Sequence, residues 1–320
     1  MKILVVRFSS IGDIVLTTPI LRCIKQQLPN TELHFLTKRN FLGVIENNHY
    51  VDKFFSIVQS VNEVVHSLKN ENYDYVIDLH NNLRTFKLKT ILSKKSFSFN
   101  KLNWEKFLLV NLKINQLPNK HIIDRFFEAI APLGVINDGK GLNYFIPKKD
   151  EIHIPSYLPS NFQNGYYALV VGGSYFTKQI PFNKLKEICS MSSLPLTLLG
   201  GKEDKVIAKE LNSVFRNKTV DLCGNLNLNQ SASVIQQSQK VITSDTGLMH
   251  IGAALKKDII SLWGNTIPEF GMTPYLPGKD SQILEVKNLS CRPCSKLGYK
   301  KCPKSHFKCM NEVNLNQIRL

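Results

Sequence analysis

Short apolar runs alternate with amphipathic segments along almost the whole chain. The runs are rich in Val, Ile, Leu and Phe and end at polar or glycine-bearing turns, which is typical of buried parallel strands. In the segments between them, apolar residues recur at intervals of three and four, which predicts helices. Alternation of this kind indicates an α/β fold with parallel sheets and helices on both faces.

The pattern predicts elements in two series. In the first, we predict strands at 2–6, 32–37, 53–57, 73–78 and 96–99, and helices at 14–27, 41–46, 61–70, 83–92 and 123–133. In the second, we predict strands at 167–171, 196–199, 220–222, 240–243, 259–262 and 283–286, and helices at 182–191, 203–214, 230–237 and 247–255. A polar, proline-bearing stretch from 146 to 165 separates the series. Because 320 residues exceed a comfortable single core, we expect two domains, at 1–150 and 151–320.

Segment 241–255 is a strand, a polar turn and a helix that opens on small residues. Backbone N–H groups and the positive end of a helix dipole meet at such a turn, which suits a phosphate. Asp245 either caps the helix or accepts from a ligand hydroxyl. His250 follows Gly247 by three residues, so it lies on the first helical turn and faces the same place. Capping and packing alone would account for these residues equally well.

A second junction of this kind lies at the start of the chain, where strand 2–6 leads through a turn into helix 14–27. The turn has one glycine, Gly12, so the G-x-G-x-x-G fingerprint of dinucleotide-binding folds is absent. Gly12 lets the backbone approach a ligand closely. Asp13 places a carboxylate at the helix start, either as an N-cap or as a functional group.

The two junctions carry a family resemblance. The run S-S-I-G-D-I-V-L-T-T-P at 9–19 resembles the start of glycosyltransferase family 9, the ADP-heptose:lipopolysaccharide heptosyltransferases. The runs S-D-T-G-L-M-H at 244–250 and L-W-G-N-T at 262–266 resemble the C-terminal signature of the same family. The motifs stand in the family's order and cover nearly the whole chain. The resemblance implies a GT-B architecture, with two Rossmann-like doubly wound domains that face a cleft and bind ligands at the carboxyl ends of their strands.

The resemblance also implies the reaction. It implies an inverting glycosyltransferase that moves a heptose or a related sugar from a nucleotide-diphosphate sugar, with ADP-heptose the expected donor, to the lipopolysaccharide inner core. It assigns Asp13 as the base that removes the proton of the acceptor hydroxyl, a role that carboxylates have in inverting glycoside hydrolysis. It assigns Lys178 to the donor phosphates, although a solvated lysine is the simpler interpretation. We expect no cofactor to be required for catalysis.

Other candidates follow from their places at predicted strand ends and from the same resemblance, which puts Glu203 at the ribose and Leu226 at the nucleotide base. Polar residues at strand ends are often only caps. The donor-side set is Gly12, Ser174, Thr177, Lys178, Glu203, Leu226, Asp245, Thr246, Gly247 and His250. The acceptor-side set, placed in the first domain, is Ser10, Asp78, Asn81, Arg84, His121 and Arg125.

The formal net charge of +16 indicates an anionic partner. Between 94 and 120 there are six lysines and one acid, Glu105, interleaved with Phe97, Phe99, Trp104 and Phe107. This composition suits a segment of the acceptor-side domain that touches an anionic membrane carrying a phosphorylated glycolipid. The alternative is an ordinary helix with a solvated lysine face.

Four of the seven cysteines cluster near the end of the chain, as Cys291-x2-Cys294-x7-Cys302-x6-Cys309. A C-x2-C pair followed by two more cysteines fits a structural zinc site. The irregular spacing differs from zinc knuckles, so free or redox-variable thiols remain the other interpretation. Disulfides are disfavoured in a reducing cytoplasm.

Composition leaves two rival functions. An apolar content of 43% and a charged content of 21% are those of a globular protein, and no run of 18 apolar residues predicts a membrane span. The first apolar run is too short for a signal peptide, so we expect a cytoplasmic enzyme peripheral to the inner face of the membrane. A nucleotide-sugar epimerase would share the architecture. A nucleic-acid-binding protein would use the charge and the cysteine tail, but no nucleic-acid motif is present and we expect no such partner.

Overall fold

The computed structural model describes residues 1–318 and 320, and every predicted strand is present in it with shifts of one or two residues at its ends. The strands are β1 (Lys2–Val6), β2 (Glu32–Lys38), β3 (Lys53–Ile57), β4 (Tyr75–Asp78), β5 (Lys95–Ser98), β6 (Tyr167–Val170), β7 (Leu196–Leu199), β8 (Thr219–Asp221), β9 (Lys240–Ser244), β10 (Asp258–Trp263) and β11 (Gln282–Glu285).

The helices connect the strands. They are α1 (Ile11–Val15), α2 (Thr18–Gln27), α3 (Val65–Asn70), α4 (Leu83–Leu92), α5 (Asn103–Phe107), α6 (Ile122–Ile130), α7 (Ile154–Tyr157), α8 (Phe182–Met191), α9 (Lys205–Val214), α10 (Leu228–Gln237), α11 (Gly247–Ala254) and α12 (Lys308–Asn311). The predicted helix 41–46 is instead a 3₁₀ turn at Arg39–Val44, and the beginnings of predicted helices 61–70 and 203–214 are 3₁₀ turns at Val61–Glu63 and Lys202–Asp204. Among the described residues, no helix combines the length and apolar character that crossing a bilayer needs.

The chain divides into two compact units. The first unit comprises Met1–Leu102 and Asn119–Phe145 and contains a parallel sheet in the order β3-β2-β1-β4-β5. The second comprises Asn103–Pro118 and Ile146–Leu320 and contains a parallel sheet in the order β11-β10-β9-β6-β7-β8. Each sheet is doubly wound, as predicted.

Each sheet has one switch point, where successive crossovers change direction. In the first unit it lies between β1 and β4, because the chain runs outward to β3 before it returns to the centre. In the second unit it lies between β6 and β9. Ligands of open α/β sheets bind outside the carboxyl ends of the strands at these points. The two junctions singled out in the sequence follow β1 and β9, so each lies at the switch point of its own sheet.

The placement of segment 103–118 corrects the sequence analysis. We expected its lysines in the acceptor-side domain, but Lys106 and Lys113 belong to the second unit. Leu109 packs there in a small apolar cluster with Ile267 and Phe270, supported by Val110. The sequence pattern predicted only local amphipathicity, whereas the packing of Leu109 against Ile267 and Phe270 places the segment with the second unit.

The predicted helix 14–27 is also corrected, because it is two helices that begin at Ile11 and Thr18. Pro19 lacks the N–H that would have bonded to the carbonyl of Val15, and the hydroxyl of Thr18 donates to that carbonyl instead, at 2.7 Å. The earlier start places Asp13 at the third helical position, with Ser10 as the N-cap residue.

A buried arginine fastens the end of the first unit to α2. The Arg22 guanidinium donates to both oxygens of Asp138, at 2.7 and 2.8 Å, and to the carbonyl of Gly141 at 2.8 Å. The hydrogen bond from Arg22 is the main cause that holds the pKa of Asp138 at about 2. Because this pKa lies below the value of an unfolded aspartate, the pair stabilises the fold above about pH 4 and the stabilisation is lost as the pH falls towards 2.

We therefore expect Asp138→Asn to lower the free energy of unfolding by about 2 kcal/mol at pH 7 and by about half of that at pH 3. Urea unfolding followed by far-UV circular dichroism at the two pH values measures this difference. An equal loss at both would mean that the carboxylate charge contributes nothing and that Asn fails for steric reasons.

Candidate functional site

The loops after three neighbouring strands of the second unit meet at one carboxylate. Asp245, which follows β9, lies with its Oδ2 atom 2.6 Å from the Nζ atom of Lys178, and both side chains are less than one fifth exposed. Lys178 comes from the turn after β6. Thr266, after β10, donates its hydroxyl to the same oxygen at 3.0 Å. The predicted proximity of Lys178 and Asp245 is therefore present in the structure.

The start of α11 settles what Asp245 does there. Thr246 is the N-cap residue, and its hydroxyl oxygen accepts from the backbone N–H of Met249 at 3.3 Å. The Thr243 and Thr246 hydroxyl oxygens lie 3.0 Å apart and share a hydrogen bond. Asp245 is therefore not the cap, and it serves as the partner of Lys178 and Thr266. The first-turn N–H groups of α11, including that of Gly247, have no acceptor within the helix and give this end a partial positive charge.

His250 lies on the first turn of α11 and is only 2% exposed. The prediction placed it on the first helical turn at the same junction, and the structure agrees on the turn. Burial nevertheless makes its imidazole part of the packing beneath the junction. We infer that any effect of His250 on a ligand acts through the position of α11.

The sequence analysis did not single out Asp204, a buried acid in the turn after β7. We singled out Glu203, which is exposed, whereas Asp204 is buried and accepts from the Gly201 N–H at 2.8 Å. A Cβ atom at Gly172 would lie 2.1 Å from the Asp204 Oδ2 atom, so only glycine fits there. Burial raises the pKa of Asp204. Its signal in the sequence was its place three residues after Gly201, where a side chain bonds back to the N-cap N–H.

The remaining donor-side candidates are less concentrated. Ser174 is exposed and Leu226 is half-buried after β8. Thr177, which we placed in the donor-side set, is buried, and its hydroxyl oxygen accepts from the N–H of Tyr299 at 2.8 Å. It therefore fastens the cysteine-bearing tail to this turn. Gly12, placed in the donor set, is a buried residue of α1 in the first unit.

In the first unit, the loop after β1 holds the carboxylate of Asp13. Its Oδ1 atom lies 2.5 Å from the Nη2 atom of Arg7, and its Oδ2 atom accepts from the Ser10 N–H at 3.0 Å and the Ser10 hydroxyl at 2.7 Å. The Asp13 side chain is 21% exposed, whereas Arg7 is buried. Arg7 also donates to the carbonyls of Ser9 and Leu79. The arginine therefore ties the loops after β1 and β4 together and fixes the carboxylate at the switch point.

His80 lies in the loop after β4 and was not among our candidates. Its ring packs edge-on against Phe8, and its Nδ1 atom is buried with no hydrogen-bond partner within the described residues. Burial, with Arg7 and Lys101, lowers the pKa of His80 to about 4. The imidazole is therefore neutral at pH 7, beside the Arg7–Asp13 pair.

Two acceptor-side candidates after β4 have structural roles. Asp78 is fully buried, where its carboxylate accepts from the N–H groups of His80 and Asn81 and pairs with Lys89 at 2.9 Å. It shapes the turn and does not face a ligand. The Asn81 side chain donates to the carbonyl of Phe99 at 2.9 Å. Both residues therefore use polar atoms to close the turn, and their assignment to the acceptor stays a prediction.

Two more acceptor-side candidates, His121 and Arg125, lie one turn apart on α6, and Arg84 lies on α4. His121 is the N-cap residue of α6, and its Nδ1 atom accepts from the Ile123 N–H at 3.3 Å. Arg125 is buried on α6, so its guanidinium serves the interior of the unit. Arg84 is exposed at the start of α4. Among these three, only Arg84 retains the exposure that a direct contact with a large acceptor requires.

Comparison with known proteins identifies the family. A model described as glycosyltransferase family 9 (heptosyltransferase) matches residues 61–304. The chain belongs to glycosyltransferase family 9. It is therefore a glycosyltransferase, as the two sequence motifs predicted. The matched residues include the Lys178–Asp245 pair and begin after the loop that holds Asp13.

Relatives in this family align with both units. Lipopolysaccharide heptosyltransferase 1 of Campylobacter coli is 24% identical over 293 residues, which are 83% of this chain and 84% of that protein. Lipopolysaccharide heptosyltransferase 1 of Escherichia coli K12 is also 24% identical, over 84% of this chain and 89% of its own length.

Solved structures of the family confirm the predicted GT-B fold class. Escherichia coli heptosyltransferase WaaC with ADP has a TM-score of 0.66 at 23% identity and covers 88% of this chain and 92% of its own. Escherichia coli ADP-heptose lps heptosyltransferase II has a TM-score of 0.69 at 17% identity and covers 98% of each chain.

Proposed function

We propose that this family 9 glycosyltransferase transfers a heptose, with inversion, from ADP-heptose to the lipopolysaccharide inner core. The curated relatives are lipopolysaccharide heptosyltransferases, and two of the similar structures contain ADP or ADP-2-deoxy-2-fluoro heptose. The observation in this chain that carries the proposal is the Lys178–Asp245 pair beside the amino end of α11.

The diphosphate of the donor binds at this pair in our proposal. Lys178 supplies a full positive charge, and the first-turn N–H groups of α11 supply donors and a partial charge of the same sign. Asp245 holds the lysine in place before the donor arrives, so that little side-chain freedom is lost on binding. These groups also stabilise the negative charge that grows on the departing diphosphate. The proposal therefore requires no metal ion for catalysis.

The acceptor hydroxyl loses its proton to Asp13 in our proposal. The oxygen of that hydroxyl forms a bond to the anomeric carbon while the bond from that carbon to the diphosphate breaks on the opposite face. The proton passes to a carboxylate oxygen of Asp13, and the bonding electrons leave with the diphosphate. Arg7 and Ser10 hold the carboxylate in position, and its partial exposure gives the substrate access.

For the base, we expect Asp13→Asn to lower kcat by about 10²–10⁴-fold with little change in ADP affinity, because the amide keeps the shape but accepts no proton. Asp124→Asn is the matched control. Asp124 is also the third residue of its helix, and its carboxylate accepts from the N-cap N–H at 3.1 Å. Kinetics with ADP-heptose and a heptose-free core acceptor measure the effect. Similar losses in both variants would show that Asp13 is only a helix cap.

For the donor site, we expect Lys178→Ala to weaken ADP binding roughly ten- to a hundred-fold, the usual cost of a lost charge-assisted contact. Asp245→Ala should also weaken it, because Lys178 then loses its anchor. Lys184→Ala serves as control, since that lysine pairs with Glu187 on α8 of the same unit. Isothermal titration calorimetry measures the affinities. Unchanged affinity in Lys178→Ala would place the diphosphate elsewhere.

We also propose that the enzyme works at the inner face of the cytoplasmic membrane. Its contact with the membrane is an exposed pair of aromatic side chains in the second unit, Trp104 and Phe107. Trp104 and Phe107 are 65% and 50% exposed and stack on one another at 5.7 Å. Leu112 and Ile114 are exposed nearby in sequence. Large aromatic and aliphatic groups at the surface of a basic protein suit the interface of an anionic bilayer.

The lysines of this segment are less free to reach lipid than the sequence indicated. Lys113 donates to the carbonyls of Val110 and Pro293, and the Lys106 ammonium lies 5.8 Å from the Phe270 ring centre. We therefore assign the main contact to the aromatic side chains and the attraction to the overall charge.

We expect Trp104→Ser combined with Phe107→Ser to reduce binding to vesicles of anionic lipid by about ten-fold or more, because each buried aromatic ring contributes over 1 kcal/mol. Val206→Ser with Val214→Ser is the control, since both valines are exposed apolar residues of α9 in the same unit. Sedimentation with vesicles at rising salt measures binding. Equal binding by both double variants would show that Trp104 and Phe107 do not form the membrane contact.

A further inference from the structure

Four thiols from the end of the chain surround one small cavity in the second unit. Its walls include Cys291, Cys294, Cys302 and Cys309, together with His306. All four cysteines are free of disulfide bonds. We call this the cysteine cavity.

The imidazole in this wall supports a sulfur atom and is not itself a ligand. The Nδ1 atom of His306 accepts from the Lys308 N–H at 3.0 Å, so in the neutral ring the proton is on Nε2. Nε2 lies 3.9 Å from the Cys291 Sγ atom and donates towards it. An N–H group that donates to a metal-bound sulfur stabilises the thiolate form of that ligand. The candidate ligand set is therefore four sulfurs, which suits a tetrahedral ion of the zinc type.

The charge around the cavity matches four thiolates. Residues 287–311 contain seven lysines and arginines and no acid. A divalent ion with four thiolates carries two net negative charges, which a basic surrounding compensates. Arg292, in the wall, donates to the carbonyls of Gly264 and Thr266 and pairs with Glu285 at 2.7 Å, so its position is fixed.

The cysteine-bearing tail lacks regular structure between β11 and α12, apart from turns. The sulfurs are wider apart than in a loaded site, since no three of them lie within 4.8 Å of one another in the described chain. Binding therefore requires Cys291, Cys294 and Cys302, which lie in the irregular part of the tail, to move towards Cys309 on α12.

A different cluster does meet that distance, but its groups are already satisfied. Glu32, His34 and Glu71 lie within 4.8 Å of one another in the first unit. Lys2 pairs with both glutamates, at 3.2 and 2.8 Å, and the His34 Nδ1 atom lies at 2.9 Å from the Tyr73 hydroxyl. A cation there would have to displace the ammonium group. We therefore assign this cluster to the stability of the fold.

The tail contacts the turn that carries Lys178. The Tyr299 carbonyl accepts from the N–H of Thr177 at 3.2 Å, and Ser295 accepts from the Asn265 side chain at 3.2 Å. The rings of Phe176 and Phe307 lie 5.0 Å apart. Thr177 and Asn265 themselves form part of the cavity wall. A change in the cavity thus reaches the residue next to Lys178 through direct contacts.

We propose that Cys291, Cys294, Cys302 and Cys309 bind one zinc ion as four thiolates, and that this ion holds the tail against the turn of Lys178. Binding releases the thiol protons to solvent as the four sulfur–zinc bonds form. The site has a positioning role and takes no part in sugar transfer. Its effect on the donor rests on the proposed function, whereas zinc binding itself does not.

The first test is metal content. The full chain, purified under reducing conditions with zinc supplied and then gel-filtered, should contain about one zinc per chain by plasma mass spectrometry. Cys294→Ser and Cys302→Ser should lose it, and Cys23→Ser, whose thiol is buried in the first unit, should keep it. Cobalt substitution should give the intense visible bands of tetrahedral thiolate coordination in the parent chain and in Cys23→Ser, but not in the two tail variants. Zinc absent from the parent chain, or retained in both tail variants, would overturn the proposal, as would disulfides found by mass spectrometry.

The second test separates the metal site from the sugar reaction. Removal of zinc by a chelator should speed tryptic cleavage at Lys300 and Lys301 and weaken ADP binding by about five-fold or more, and added zinc should restore both. Faster cleavage with unchanged ADP affinity would overturn the coupling to Lys178 while the metal content still supports the site. If ADP binds neither form, the proposed donor is wrong, and the metal content and cleavage rates decide the zinc site independently.

Discussion

One carboxylate oxygen, Oδ2 of Asp245, organises the loops at the switch point of the second sheet. It accepts from Lys178 after β6 and from Thr266 after β10, while its own residue follows β9. Three loops of a parallel sheet are thereby joined at the switch point, where a helix amino end already favours negative charge. In our proposal, the carboxylate holds the Lys178 ammonium group in place, and the incoming diphosphate binds to the same ammonium group. The same oxygen thus fixes both the geometry and the charge of the site.

The first unit repeats this arrangement with the signs exchanged. Arg7 is the buried anchor, and the carboxylate of Asp13 is the partly exposed group that it holds. The arginine also donates to the Leu79 carbonyl after β4, so it joins the Asp13 carboxylate to the two loops on either side of the switch point. A neutral His80 beside them adds no competing charge. In both units, a buried or half-buried ion pair lies at the switch point. One residue of the pair is the anchor, and it holds the oppositely charged group of the other residue in position.

The cysteine tail extends this logic beyond the sheet. The tail packs against the turn with Lys178 through Tyr299 and Phe307. The tail itself is irregular and strongly basic. A zinc ion bound by four thiolates would supply the rigidity that the irregular tail lacks. The net negative charge of that complex would compensate the basic residues of the tail. The position of Lys178 then depends on side chains more than a hundred residues away in the chain.

The sequence by itself determined the strands, the doubly wound class, the family and the two junctions, because apolar periodicity and short motifs are local properties. It also pointed to Asp13, Lys178 and Asp245, which the structure holds in ion pairs at the two switch points. Only the tertiary structure decided that Asp78 and Thr177 are used up by turns and tail, that Asp204 is the buried acid, and that Leu109 carries segment 103–118 to the second unit. Those outcomes depend on which distant groups compete for each polar atom or apolar surface, and no local pattern contains that information.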